Sequence, residues 1–215
     1  MLTGERSIAE EDRALQLVTD LARAGVGPTM IRRLTGGLVG MPQISYRYRL
    51  VALDMVARGR DSAGSRPGAP PGLSYILRLP KDRASVLARV LYLIHETGEA
   101  GFRKQGRGPA GWGSNLIRVE LLLSAWAVLQ HMASSGPARL RESAADISFE
   151  LLERAEHFVF REQAIGLALC PQCGAVNLRR NTSFVLCCQC NRRIKGMLNL
   201  PVQEAEPRRA LADAA

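Results

Sequence analysis

The sequence predicts a mainly α-helical protein: a helical domain whose N-terminal part is helix-turn-helix-like, followed by a small C-terminal module of zinc-ribbon type built on four cysteines. Three observations predict it. Apolar residues recur at helical spacing in segment after segment up to about residue 160. All five cysteines lie between Cys170 and Cys190. The charge excess gathers in two short stretches: the chain of 215 residues carries 29 Lys+Arg against 20 Asp+Glu, a net charge of +9. Of these cations only Lys81, Lys104 and Lys195 are lysines. Hydrophobic residues at 47% and charged residues at 23% fit a globular composition.

Taken in order, Ser7 and Glu10 have the spacing of a capping box. The first helix then runs to about Ala24, with Leu15, Val18, Leu21 and Ala22 on one face, and Gly25 and Gly27 end it. Pro28 suits the first turn of a short second helix that buries Met30, Ile31 and Leu34. After a break at Thr35–Gly40, Pro42 opens a third helix to about Ala57, with Ile44, Tyr48, Val51, Ala52 and Met55 on one side. Residues 58–72 are rich in Arg, Gly and Pro and read as a linker. Helical spacing returns at 82–97 through Val86, Leu87, Val90, Leu91 and Ile94. The glycines of 98–113 predict a flexible loop, and 115–133 a strongly apolar helix with Leu121, Leu122, Ala125, Trp126, Leu129 and Met132. Asp146 is the expected N-cap of a last helix that turns Leu151, Ala155, Phe158 and Val159 inward. Glu150, Glu153 and Glu156 are expected on its solvated face. Beyond Leu167 the pattern becomes short and β-prone. The expected division is 1–60 for the N-terminal helices, 61–81 for the linker, 82–166 for a helical core and subunit-interaction region, 167–200 for the four-cysteine module and 201–215 for a disordered tail.

Several functions are set aside by what the chain contains. Residues 1–12 carry four acids and no apolar stretch, which argues against a secretory or transit peptide. No apolar run is expected to reach bilayer-spanning length, about 18 residues. No phosphate-binding loop, H-E-x-x-H or G-x-S-x-G motif is present. No nucleophile pairs recognisably with a base, so an enzyme is not expected. His95, His131 and His157 lie on separate helices and read as surface or partly buried side chains. Trp126 reads as core or subunit interface, and Trp112 as a contact residue in the Gly-rich loop. Clustered rather than dispersed cysteines point to metal in a reducing compartment, and the protein is expected to be cytoplasmic, away from any membrane.

Cys170-Pro-Gln-Cys173 and Cys187-Cys-Gln-Cys190 are two C-x2-C pairs separated by 13 residues. Each pair lets one tight turn aim two thiolates at one ion, and four thiolates in a tetrahedron suit a single structural zinc. Gly174 and Asn191 each follow a pair and tolerate the left-handed backbone such turns use. Val176, Leu178, Phe184 and Val185 supply two short strands between the pairs. Cys188 reads as a packing or exposed thiol. An iron–sulfur cluster uses the same ligands at other typical spacings, while a redox C-x-x-C lacks its usual βαβ setting. With four cysteines bound, no position stays open for a catalytic water.

Residues 21–60 hold Arg23, Arg32, Arg33, Arg47, Arg49, Arg58 and Arg60 against Asp54 alone. Within them, 28–57 has the outline of a helix-turn-helix whose second helix enters the major groove. Gln43, Ser45, Arg47 and Arg49 are the candidate DNA-reading residues, since Gln pairs with adenine and Arg with guanine or phosphate. An amphipathic helix pair with a wet arginine face is the plain alternative. Residues 170–200 hold Arg179, Arg180, Arg192, Arg193 and Lys195 and no acid. These five are candidate phosphate contacts that would position the protein on DNA.

The order of parts, with Ala14-Leu-Gln-Leu-Val-Thr-Asp-Leu-Ala-Arg23, Ser65-Arg-Pro-Gly-Ala-Pro-Pro-Gly-Leu73 and Leu152-Glu-Arg-Ala-Glu-His-Phe-Val159 leading into the cysteines, resembles the flagellar transcriptional activator subunit family FlhC. The chain departs from that family in its Gly-rich stretch at 98–113, in its few aromatics at 73–80 and at Glu156, where the family's last helix has Trp. The resemblance implies a sequence-specific DNA-binding activator of flagellar or conjugative-transfer genes. It implies action on double-stranded promoter DNA and RNA polymerase with an FlhD-like companion subunit, and a structural zinc held by Cys170, Cys173, Cys187 and Cys190. A zinc-ribbon interaction module with scaffolding helices is the alternative reading, and an RNA-modifying enzyme with an accessory ribbon a third.

Overall fold

The computed structural model describes residues 8–58, 71–104, 115–180 and 185–194. Among these residues eight helices and four short strands follow one another: α1 (Ile8–Arg23), α2 (Pro28–Leu34), α3 (Met41–Ala57), α4 (Leu73–Leu77), α5 (Lys81–Lys104), α6 (Asn115–Ser135), α7 (Ala138–Ala145), α8 (Phe149–Phe160), β1 (Ile165–Leu169), β2 (Val176–Arg180), β3 (Val185–Leu186) and β4 (Arg193–Ile194). The protein is mainly helical with a four-cysteine cluster near its C-terminal end.

Local chemistry accounts for the helix ends. After α1, Gly25 adopts φ +80°, Val26 N–H reaches back to Leu21 C=O and Gly25 N–H to Ala22 C=O, both at 3.0 Å. This is a Schellman stop: a left-handed glycine lets two orphan carbonyls be satisfied, with an apolar clasp between buried Val26 and Leu21. The same device ends α2 at Gly36, where Gly37 N–H meets Arg32 C=O at 3.0 Å. Pro28 and Pro42 sit in the first turns of α2 and α3, as expected.

Four expectations change. The helix opening at residue 81 does not stop at 97: α5 continues to Lys104. Gly98 and Gly101 each cost only about 1 kcal/mol in a helix interior, too little to halt a helix already anchored by a packed first half. Asp146 is not the N-cap of α8. Residues 138–145 form α7, so Asp146 falls at that helix's C-cap, and Ser148 caps α8 by accepting from Leu151 N–H at 3.1 Å. Part of the stretch assigned to the linker holds α4, whose Ile76 is fully buried. Finally, α6 is long and apolar enough to cross a membrane by length and composition, with a mean hydropathy of 1.3 over Leu116–Ser135. Here it packs against α1, α5, α7 and α8. The Ser7 cap, the linker at 59–70, the glycines beyond 104, Trp112, Phe184, Lys195 and the tail lie outside the described residues.

One continuous core runs from α1 through β2. Leu21, Ile31, Ile44, Leu91, Leu122 and Leu152 are among its fully buried side chains, each worth roughly 1.5–3 kcal/mol for leaving water. The inward faces expected for α1, α2, α3, α5 and α8 are the faces found. Trp126 is half-buried and meets the ring of Phe149 edge-on at 6.0 Å.

The polar side of α8 is the main surprise. Glu153 and Glu156 are buried, 4% and 1% exposed, not solvated. Arg118, in the first turn of apolar α6, donates from Nε to both carboxylate oxygens of Glu156 at 2.9 and 3.0 Å and from Nη2 to Glu153 at 3.0 Å. Arg33 of α2 donates to the other oxygen of Glu153 at 3.0 Å. α8 lies against α4, α5, α6 and β1, so nearly its whole circumference is covered and its acids need partners inside. Burial works against the Arg118 charge, but Glu156 and Glu153 outweigh it and hold its pKa above the usual value. Arg161 beside them is pushed down by burial and by the charge of Arg118. Removing one member of a buried pair strands the other, at about 3–5 kcal/mol. Glu156→Ala is therefore expected to lower stability by that amount in chemical denaturation, while exposed Glu142→Ala changes it by less than about 0.5 kcal/mol.

Candidate metal centre and nucleic-acid interface

The cysteine module is two hairpins of the same design. β1 pairs antiparallel with β2, Leu169 opposite Val176, and β3 with β4, Leu186 opposite Arg193. Each hairpin turns through one C-x2-C pair. In the first turn Gly174 N–H donates to Cys170 C=O at 2.9 Å and Cys170 N–H to Ala175 C=O at 2.8 Å. In the second, Asn191 N–H donates to Cys187 C=O at 3.0 Å and Cys187 N–H to Arg192 C=O at 2.8 Å. Gly174 and Asn191 take φ +70° and +57°, the left-handed conformation expected after each pair.

The turns bring the four sulfurs within 4.8 Å of one another. Cys170 Sγ lies 3.5 Å from Cys190 Sγ, and Cys173 Sγ 3.5 Å from Cys187 Sγ, so each contact crosses between hairpins. A tetrahedral thiolate site with bonds of about 2.3 Å separates its sulfurs by about 3.8 Å. The donor set fits a metal ion. Burial opposes a thiolate at Cys187, yet the backbone N–H groups of Cys190 and Gln189 outweigh it and bring its pKa down to about 6. Cys170 is lowered chiefly by the Cys173 N–H. At Cys173 the Ala175 N–H favours the thiolate, but burial and the neighbouring sulfurs push the pKa up to about 12. Four anionic sulfurs this close repel each other unless a cation lies among them.

Around the sulfurs, Asn177 of β2 acts as a clamp. Its Nδ2 donates to Ala175 C=O at 2.9 Å and approaches Cys187 Sγ at 4.0 Å, and its Oδ1 accepts from Cys188 N–H at 2.8 Å. One side chain thus ties the two knuckles together. Cys188 is half-buried and donates to Ser85 Oγ of α5 at 3.3 Å, which docks the module on the helical body. It is a packing residue. Sequence reading missed Asn177; the signal was a polar residue inside the β-prone run Val176-Asn-Leu.

The candidate DNA residues separate. On α3, Gln43 is exposed and accepts Gly40 N–H at 3.3 Å. Ser45 is half-buried, and so is Arg47, which donates to Thr19 of α1 at 3.2 Å. Arg49 is exposed and meets no carboxylate among the described residues. In the module, Arg192 and Arg193 are exposed. Arg179 is not: it is 6% exposed and has interactions of its own within the fold. It shares a strand face with Asn177 and lies opposite Gly166 in the register. The Arg180 side chain and Lys195 lie outside the described residues. His95 stacks on Phe160, His157 bonds Glu162 and His131 is exposed, so none of the three joins the cysteines. Two depressions of about 340 Å³ are lined by Ser74, Tyr75, Arg78, Leu79, Pro80 and Arg83, and by Ala133, Ala138, Arg141, Glu142 and Ala145; neither sets a nucleophile beside a base.

No protein-family model matches the chain, no curated protein matches its sequence and no solved structure matches its fold. Elemental analysis of purified protein is expected to find about one metal ion per chain, as a single four-thiolate site requires. Cys170→Ser with Cys190→Ser should abolish it. Partners that orient ligands are typically worth 10–100-fold in metal affinity, so Asn177→Leu is expected to weaken retention by roughly that factor against a chelator, with Arg192→Ala unchanged.

Proposed function

We propose that this chain is a zinc-stabilised, DNA-binding transcriptional activator that works as one subunit of a larger assembly. The observation that carries the reading is a charge imbalance. Asp20, Asp54, Asp82, Glu120, Asp146, Glu153 and Glu156 are all engaged by arginines of the same chain. Exposed Arg32 of α2 and Arg192 of the second knuckle meet no carboxylate among the described residues. Exposed arginines that no acid of the same chain neutralises favour a polyanionic partner.

Zinc is the metal of choice for four thiolates in a tetrahedron, and its role is structural because cysteine fills every position. The first turn of α3 is where a groove-reading helix meets base edges, and exposed Gln43 lies there. Arg32, Arg192 and Arg193 suit phosphate contacts, which position without reading sequence. The likeness to FlhC supports promoter DNA as the target, flagellar or conjugative-transfer genes as the output, and RNA polymerase and an FlhD-like subunit as partners. The second reading, a protein-interaction module, draws on Leu169 and Leu186, each exposed directly before a knuckle at 41% and 50%.

Fluorescence anisotropy with promoter and scrambled duplexes tests the proposal. Binding is expected to weaken steeply with salt, and Arg192→Ala or Arg32→Ala to weaken both duplexes alike, each reducing the salt slope by about 1. Gln43→Ala should instead narrow the gap between promoter and scrambled DNA. Failure to bind any promoter fragment, with or without a companion subunit, sinks the DNA reading in favour of the interaction module.

A further inference from the structure

α3 has two apolar faces. Ile44 and Val51 are buried, and Tyr48 and Met55 are packed against the core, on the side turned to α1 and α2. The opposite side carries Tyr46, Leu50, Leu53 and Val56, exposed by 65%, 48%, 67% and 65%. Single exposed apolar residues are ordinary, but four along one helix face form a contact surface. Such a face is poorly suited to a groove walled by phosphates, and it narrows base reading on α3 to the first turn.

The spacing says what covers it. Tyr46, Leu50, Leu53 and Ala57 are separated by four, three and four residues, the a/d seam of a two-stranded coiled coil. Two charges flank the seam, Arg49 on one side and Asp54 on the other. Among the described residues Arg49 meets no carboxylate and Asp54 pairs only with Arg58 of its own helix, at 2.9 Å, with both side chains exposed. An exposed i,i+4 pair is weak and easily exchanged. When two helices pair in parallel and in register, a residue at the flanking g position of one faces the e position five residues further along the other. Arg49 and Asp54 stand in that relation. An antiparallel pair would set Arg49 against Val56 instead and leave it without an acid.

We propose that α3 is a homodimer interface, in which two copies of the chain pair their α3 helices in parallel and in register. Leu50 and Leu53 meet their counterparts across the axis, Tyr46 closes one end, and Arg49 of each copy reaches Asp54 of the other, twice by symmetry. The second copy supplies both the apolar surface that Tyr46, Leu50, Leu53 and Val56 lack and the carboxylate that Arg49 lacks. The inference stands on α3 alone and does not depend on DNA binding.

Sedimentation equilibrium of the full chain, metal loaded and without DNA, tests it. The expected species has twice the 23.5 kDa of the chain. Leu50→Glu with Leu53→Glu should give a monomer with the circular dichroism melt and metal content of the parent, because both side chains are exposed in one copy. Arg49→Asp or Asp54→Arg alone should raise the dissociation constant roughly tenfold or more, and the exchanged double variant Arg49→Asp, Asp54→Arg should regain most of the loss. A monomeric parent overturns the proposal, including one that associates only when a different subunit is added. A dimer indifferent to Leu50→Glu with Leu53→Glu overturns it too. Dimerisation lost on both single reversals but not regained in the exchanged variant overturns the parallel register.

Discussion

Arg118 sits in the first turn of an apolar helix with 7% of its side chain exposed, and its surroundings are arranged to keep its charge. A guanidinium removed from water at that depth is tolerable only with most of its donors satisfied and its charge matched. Glu156 meets it with two oxygens and Glu153 with one, and the second oxygen of Glu153 passes the contact on to Arg33. Three helices distant in sequence are thereby fixed against each other at one point. The apolar contacts around it are stronger in sum but carry little direction. The ion network specifies register, since a shift of one turn in α6 or α8 would leave charges buried and unpaired.

The same logic governs the cysteine module at smaller scale. Among the described residues its own core is Ala168, Cys170, Ala175, Cys187 and Ile194, and a two-stranded hairpin is marginal alone. Two such hairpins become one body because their sulfurs converge and because Asn177 spans the gap between the knuckles. The module is not free of the rest: Ile165, Leu167 and Val176 belong to the helical core, and Cys188 is tied to α5. Metal occupancy and the packing of α5 are thus physically linked, and surfaces presented by α2 and by the second knuckle are carried on one scaffold.

Legibility in the sequence followed the range of the forces involved. Helix faces were readable because period and polarity are local: Val86, Leu87, Val90, Leu91 and Ile94 are buried as their spacing requires. The four thiols were readable because a C-x2-C turn is a local geometry, and Gly174 and Asn191 even announce its backbone. The errors lie where a distant partner decides. Glu153 and Glu156 have the spacing of a wet helix face, and only α6, laid across that face, makes them interior. Arg179 counts as a surface cation in the sequence and is buried in a strand that packs against α5.

The sequence by itself determined a mainly helical chain, the positions of most helices, a C-terminal four-thiol centre and the concentration of positive charge near both. Each of these depends on residues within a few positions of one another. Only the tertiary structure decided which charges remain available. It pairs seven acids with arginines of the same chain, folds Arg47 against α1 and Arg179 into the module, and turns Tyr46, Leu50, Leu53 and Val56 outward. The reason is that burial and pairing belong to the whole packing and not to any segment of it.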